Sequence, residues 1–375
     1  MAARKVGVVL LFGVVPVAFA TLGIYAEARL GLLGFDFKGT IWHPARELLA
    51  GHSPYPRPVA AEMNTGNPSV YPPPALVLGL PFGLLPFPLA YAAWTALLVA
   101  AVLATLRLLG VRDWRCYTIA LGSCPVVFGL ALGNIVILVV LLAACAWRYR
   151  DNAYAAGLSV GVAIGLKLLL WPLAIWFLAT RRWRAAVVAA SSAVLMTFVA
   201  WAAISFDGLS SYPKLLAVNN DVYSAHSWSL VAGAVGLGSP EGLGSAIVLL
   251  LGLALLGLTF VLARHADEDR RAFTLTMVVS IAVLPIVWPA SLAVVLVTLA
   301  LYAPTLDRLW LLFTLLWVAA LLPHSFADAG APPAGVPELV WKMQHSAPPT
   351  AQIGAFALLV GLMTVLQLRV RHLEE

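Results

Sequence analysis

Ionisable side chains are scarce in this sequence, and the densest polar stretch runs from Gly34 to Pro74, just past the first hydrophobic segment. It carries Asp36, Lys38, His43, Arg46, Glu47 and His52. Asp36 stands between Phe35 and Phe37. A carboxylate partly withdrawn from water gains proton affinity, which suits a general base that takes a proton from a hydroxyl. The same residue could instead serve as a cap or interfacial carboxylate for the helix that follows. Lys167 is a second candidate, because an ionisable group inside an apolar stretch costs on the order of 3 kcal/mol on insertion scales unless paired or hydrated. Facing an outer cavity it could hold a phosphate; otherwise it snorkels to the headgroups.

Other polar residues break apolar runs. Gly133 and Asn134 interrupt one, and Asn219, Asn220, Asp221, Tyr223, His226, Ser227, Trp228 and Ser229 crowd another segment. That set could hydrogen-bond a sugar with Trp228 or Tyr223 as a stacking face, or it could consist of caps and turn formers. Tyr71-Pro72-Pro73-Pro74 fixes an extended backbone leading into the membrane and could shape the site. His324 and His345 read as exposed loop residues. Cys116, Cys124 and Cys145 lack CxxC spacing and His neighbours, so neither a disulfide framework nor a metal site is expected, and no cofactor. There is no Walker loop, GxGxxG, HExxH or GxSxG, which argues against soluble nucleotide chemistry.

The elements that must position these residues are hydrophobic. Of 375 residues, 62% are apolar and 11% charged, and mean hydropathy is +0.93. A soluble domain carries roughly 25% charged residues, so the expectation is an all-α polytopic membrane protein forming a single domain over residues 1–375. About twelve spans are expected: Val6 to Ala26 (an uncleaved first span), Tyr91 to Leu109, Tyr117 to Leu132, Ile135 to Trp147, Ala153 to Leu166, Leu168 to Thr180, Ala185 to Ile204, Ser245 to Ala263, Phe273 to Ile286, Pro289 to Tyr302, Leu309 to Leu322 and Ile353 to Leu368. Two pairs are short and Pro-interrupted, around Lys167 and Pro172 and around Pro285 and Pro289, as cavity-lining segments often are. Thr40 to Ala50 reads as a short outer amphipathic helix with Ile41, Ala45, Leu48 and Leu49 on its apolar face and Gly51 as its stop. Pro74 to Pro86 reads as a dip into the outer leaflet.

Charge then orients the bundle. Sixteen of the 23 Lys and Arg residues fall in loops on the N-terminal side, including the Arg181-Arg182-Trp183-Arg184 turn. By the positive-inside rule both termini are cytoplasmic, in the cell membrane, and the Asp36 segment is outside. The long loops, 27–74, 205–244 and 323–350, then share the outer face and could roof a cavity. The formal charge of +6 is explained by this topology, so membrane lipids rather than nucleic acid are the expected surroundings.

In series, Asp36-Phe37, Leu49-Ala50-Gly51-His52-Ser53-Pro54-Tyr55, Tyr71-Pro72-Pro73, Gly133-Asn134, Gly165-Leu166-Lys167 with Pro172, and Arg181-Arg182-Trp183-Arg184 resemble the GT-C class of integral-membrane glycosyltransferases. The branch is that of the actinobacterial polyprenyl-phosphate-mannose-dependent mannosyltransferases and related arabinofuranosyltransferases, glycosyltransferase family 87. The resemblance covers about the first half of the chain. It implies a polyprenyl-phosphate sugar donor, a glycolipid or glycan acceptor, and an inverting displacement on the outer face without a metal. Asp36 matches the base, and Lys167 becomes the candidate for the donor phosphate. In the second half the resemblance implies a Trp followed closely by His; here Trp288 is followed by Pro289-Ala290-Ser291, and His226 is the substitute available from the preceding loop. Two alternatives remain: a transporter of a lipid-linked sugar, and a degenerate member of the fold acting as an assembly partner.

Overall fold

The computed structural model describes residues 2–56, 58, 69–314 and 316–317. The expected last span Ile353 to Leu368, the loop 323–350 with His324 and His345, and part of the loop 27–74 lie outside the described residues. Every regular element among the described residues is helical. In chain order they are α1 (Val6–Arg29), α2 (residues 35–49), α3 (Pro73–Gly83), α4 (Phe87–Leu108), α5 (Trp114–Gly122), α6 (Cys124–Leu132), α7 (Val136–Arg148), α8 (Ala153–Leu166), α9 (Pro172–Ala179), α10 (Trp183–Ala203), α11 (Tyr212–Tyr223), α12 (Leu230–Gly236), α13 (Glu241–Leu262), α14 (Asp269–Ala282), α15 (Pro289–Tyr302) and α16 (Arg308–Thr314).

Four of these, α1, α4, α10 and α13, are long and apolar enough to cross a bilayer singly, and the bent pair α5 and α6 makes a fifth if counted as one span. Only 11% of the apolar window of α1 and 22% of those of α10 and α13 is buried inside the molecule. Such long apolar faces are incompatible with water and suit lipid. The chain is a multi-pass membrane protein. Shorter apolar helices, α3, α7, α8 and α15, fill the interior.

Two expectations change in detail. Tyr117 to Leu132 is not one straight rod: it breaks at Ser123 with a bend of 59°. Pro125 in the first turn of α6 lacks the N–H that would continue α5, so the helix restarts there. The amphipathic helix starts at Phe35, not Thr40, and passes through a π-helical stretch at Lys38–Trp42. Its inner face is Ile41, Pro44 and Ala45, while Leu49 is 48% exposed. Gly51 does stop it: it sits at φ +77°, and the His52 N–H reaches back to the Glu47 carbonyl at 2.8 Å. The stretch expected to dip into the outer leaflet forms α3, whose Gly79 and Gly83 lie under Ile41 and Ala45, so that α2 rests on α3 at near-backbone distance.

The tightest seam joins α8 to α10. Gly157, Gly161 and Gly165 recur every fourth residue along α8, and a Cβ would come within 2.7 Å of the Ala185 carbonyl oxygen at Gly157 and 2.6 Å of the Ala189 carbonyl oxygen at Gly161. Small residues at this spacing let membrane helices meet backbone to backbone. The interrupted pairs are hairpins. Arg150, before α8, and Arg182, after α9, both reach Asp269, so α8 and α9 run out and back with Lys167 at the far turn. Likewise the Arg270 guanidinium, at the start of α14, lies over the Tyr302 ring at the end of α15, and the break at 283–288 is their far turn.

Candidate functional site

The chain leaves α1 through two left-handed glycines, Gly31 and Gly34, at φ +71° and +68°. At Gly34 a side chain would also meet the Phe87 ring at 2.8 Å, and the Gly34 N–H donates to the Ala131 carbonyl at 2.7 Å. This turn delivers Asp36 into the first turn of α2, where the helix dipole favours a carboxylate. Asp36 is half-buried, with Phe37 behind it fully buried and stacked on Trp94 at 5.1 Å.

Across from Asp36, α6 ends at Gly133 (φ +71°), and the Asn134 N–H bonds the Gly129 carbonyl at 2.8 Å. The Trp94 indole N–H holds the Gly133 carbonyl at 2.8 Å, and the Tyr91 hydroxyl holds that of Ala131 at 2.7 Å. A Cβ on Gly133 would lie 2.6 Å from that of Phe37, so the two turns touch. Asn134, 4% exposed, accepts the Val136 N–H on its Oδ1 at 2.9 Å and donates from Nδ2 to the Asp36 Oδ2 at 2.6 Å. The backbone bond fixes which way the amide faces, and the amide in turn orients the carboxylate.

Tyr71 and Lys167 form the third side. The Tyr71 backbone carbonyl accepts from the Tyr55 hydroxyl at 2.9 Å, and the Val70 carbonyl from the Tyr212 hydroxyl at 2.8 Å. Pro72 is extended and Pro73 opens α3, so the ring of Tyr71 is presented from a pinned strand of backbone. The Lys167 ammonium lies 3.5 Å from the Tyr71 hydroxyl and 5.1 Å from its ring centroid. Lys167 ends α8 in an extended conformation, outside the long spans. Burial lowers its ammonium to about 8, with the Asp36 carboxylate pulling the other way. Burial, with the charge of Asp36 added, pushes the Tyr71 hydroxyl above its usual value. One carboxylate, one ammonium, an amide and an aromatic hydroxyl therefore share one cluster, assembled from four separate stretches of chain.

The other expected residues are placed differently. Ser227 is fully buried; its hydroxyl donates to the Ser224 carbonyl and accepts the Ser229 N–H. Trp228 is 3% exposed, and its backbone N–H donates to the Val287 carbonyl at 2.8 Å. Both fasten their loop to the 285–288 break, with Tyr223 edge-on to Trp288 at 6.3 Å. His226 is half-buried in a short 3-10 turn. Among the described residues no group of three or more His, Cys, Asp or Glu could hold a metal ion.

Several supporting residues carry no sequence signal. Trp94 and Tyr91 read as ordinary aromatics in an apolar span, yet they hold the Asn134 turn. Tyr55, Trp201 and Tyr212 cluster within 5.4 to 5.6 Å of one another beneath the Tyr71 backbone. Glu27, in α1, is 5% exposed, with one carboxylate oxygen lacking a hydrogen-bond partner among the described residues.

The sequence matches a family model described as Glycosyltransferase family 87 over residues 70–289, a stretch that holds Tyr71, Asn134, Lys167 and the 226–228 loop and begins after Asp36. A curated polyprenol-phosphate-mannose-dependent alpha-(1-2)-phosphatidylinositol pentamannoside mannosyltransferase from Mycolicibacterium smegmatis is 31% identical to it over 160 residues, covering 40% of this chain and 38% of that protein. No solved structure matches.

Proposed function

From the premise that the chain belongs to glycosyltransferase family 87, we propose that it transfers mannose, or a related sugar, from a polyprenyl phosphate to a glycolipid or glycan acceptor at the extracytoplasmic face of the cell membrane. Asp36 accepts the proton of the acceptor hydroxyl as that oxygen bonds to the anomeric carbon. The bond from that carbon to the phosphate oxygen breaks with inversion, and the polyprenyl phosphate departs with the electron pair. Lys167 meets the phosphate charge, and Asn134 keeps the carboxylate aimed. The phosphate is a ready leaving group, so the protein's work is positioning and electrostatic.

The observation that carries this reading is the placement of Asp36, bonded to Asn134, within electrostatic reach of Lys167. The relative named above is polyprenol-phosphate-mannose-dependent, which supports the donor class. The test is Asp36→Asn, assayed on purified protein with radiolabelled polyprenyl phosphate mannose and a membrane glycolipid extract. Loss of a general base costs about 10²- to 10⁴-fold in turnover, with thermal stability unchanged. Wild-type turnover in the variant removes Asp36 from the mechanism, and donor movement across vesicles without any acceptor would favour a transporter.

A further inference from the structure

The largest cluster of guanidinium groups lies at the end of the bundle opposite Asp36. Asn134 lies just before α7 and Arg148 closes it, a helix of 13 residues that spans about 20 Å, so the two ends are separate environments. At the arginine end the turns 178–183 and 263–265 enclose a cavity of about 550 Å³, lined by Arg181, Arg182, Arg264 and His265 with Phe260 and Trp183 among its walls.

Its charge is unbalanced. Asp269, also on the wall, takes two bonds from Arg182, each 2.8 Å, a 2.9 Å bond from the Trp176 indole, and Arg150 at 3.4 Å. That carboxylate is thereby saturated. Among the described residues no carboxylate lies within ion-pair distance of Arg181 or Arg264.

A second, independent observation points the same way. The chain leaves α9 by a Schellman turn, with the Arg182 N–H on the Phe177 carbonyl at 2.8 Å and the Arg181 N–H on that of Leu178 at 3.1 Å. The left-handed position in such a turn ordinarily belongs to glycine, and here it is occupied by Arg181 at φ +58°. A strained non-glycine residue whose side chain lines a cavity is the pattern of a functional constraint. The source of a ligand is indicated by the surroundings: the cavity lies where α10 begins and α13 ends, the helices whose apolar faces look outward, and Trp183 and Phe260 are 60% and 45% exposed.

We propose that this cavity binds a phosphate-bearing anion presented by the membrane, the headgroup of an anionic phospholipid, between Arg181, Arg264 and the Arg182–Asp269 pair. Guanidinium groups match phosphate oxygens in geometry and charge, and the aromatic walls meet the glycerol and upper acyl region. The site is distinct from the sugar-transfer centre and does not depend on it.

The test is native mass spectrometry of the full chain, delipidated in detergent and titrated separately with phosphatidylglycerol and phosphatidylcholine. The wild type is expected to prefer phosphatidylglycerol about tenfold or more, given the strength of basic side chains at a lipid surface. Arg181→Gly combined with Arg264→Gln is expected to abolish the preference, while Arg107→Gln, at the same end of the bundle but on α4, keeps it. Arg181→Gly also serves as the folding control: it relieves the left-handed strain, so the delipidated single variant should melt no lower than wild type and still lose part of the preference. Displacement of phosphatidylglycerol by millimolar inorganic phosphate assigns the site to phosphate from either source; an undisturbed preference assigns it to the lipid headgroup. Undiminished phosphatidylglycerol binding by the double variant overturns the proposal.

Discussion

Asn134 can present its amide N–H groups to Asp36 because its oxygen is already committed to the Val136 N–H at the start of α7. A rotated amide would set oxygen against carboxylate oxygen, so the pairing holds one orientation. Lys167 gives this cluster a pH dependence. Its ammonium titrates at about 8 in the folded chain against the usual lysine value of 10.5. Between those values the unfolded chain binds the extra proton, so this group's penalty on stability is full below about 8 and is relieved as pH rises toward 10.5. In the proposed mechanism donor binding runs the opposite way, since only the protonated amine would attract the phosphate. For transfer, kcat/KM of the donor is expected to fall about fivefold between pH 8 and 9 if this amine titrates at its folded value. Lys167→Arg, charged throughout, should flatten that limb; a limb that persists in the arginine variant rules Lys167 out as its source. Asn134 and Lys167 stand out in the sequence as polar interruptions of apolar runs, Asp36 as a carboxylate between two phenylalanines just past the first hydrophobic segment, and Tyr71 at the head of a proline run. Ser227 and Trp228 look equally promising by type, but the Ser227 hydroxyl is spent inside the 224–229 turn and the Trp228 side chain, offered as a stacking face, is 3% exposed.

Among elements, the site depends on turns more than on helices. Gly133 is both left-handed and pressed against Phe37, so Gly133→Ala combines backbone strain with a steric clash. The expected cost is about 2 kcal/mol or more, visible as a lower midpoint of thermal unfolding in detergent, with transfer reduced as Asn134 shifts. A variant as stable as wild type would mean that the α6–α7 turn is more accommodating than its contacts indicate. Helix limits were readable where caps are strong: Ala153 to Leu166 is reproduced to the residue, with the Asn152 side chain accepting the Tyr154 and Ala155 N–H groups at its start. They were less readable where proline sits inside an apolar run, as at Pro125, or where a helix is stabilised by what lies beneath it. The first turn of α2 has too little polar contrast for periodicity to detect, and it forms because Phe37 has Trp94 to stack on.

For the molecule as a whole, the separation of its two charged ends matters most. Asp36 and Lys167 lie at one end of the bundle, and Arg150, Arg182 and Arg264 at the other. The sidedness proposed from loop charge is tested by introducing single cysteines at exposed positions. His52→Cys is expected to react with a membrane-impermeant maleimide on intact cells, and Asp151→Cys only after permeabilisation; the reverse pattern would place the cluster in the cytoplasm and remove access to an outer-leaflet donor. Composition made the membrane class legible, because so few charges cannot coat a soluble surface. The depth and tilt of each helix were not legible, because they follow from contacts between distant segments.

The glycine seam between α8 and α10 bears on how bulky molecules reach the cluster. Two rods interlocked at every fourth residue resist gliding past each other, so the wall that carries Lys167 behaves as a fixed jamb. For the lipid-linked donor proposed above, any widening that admits a long isoprenoid chain then draws on elements other than this interlocked pair.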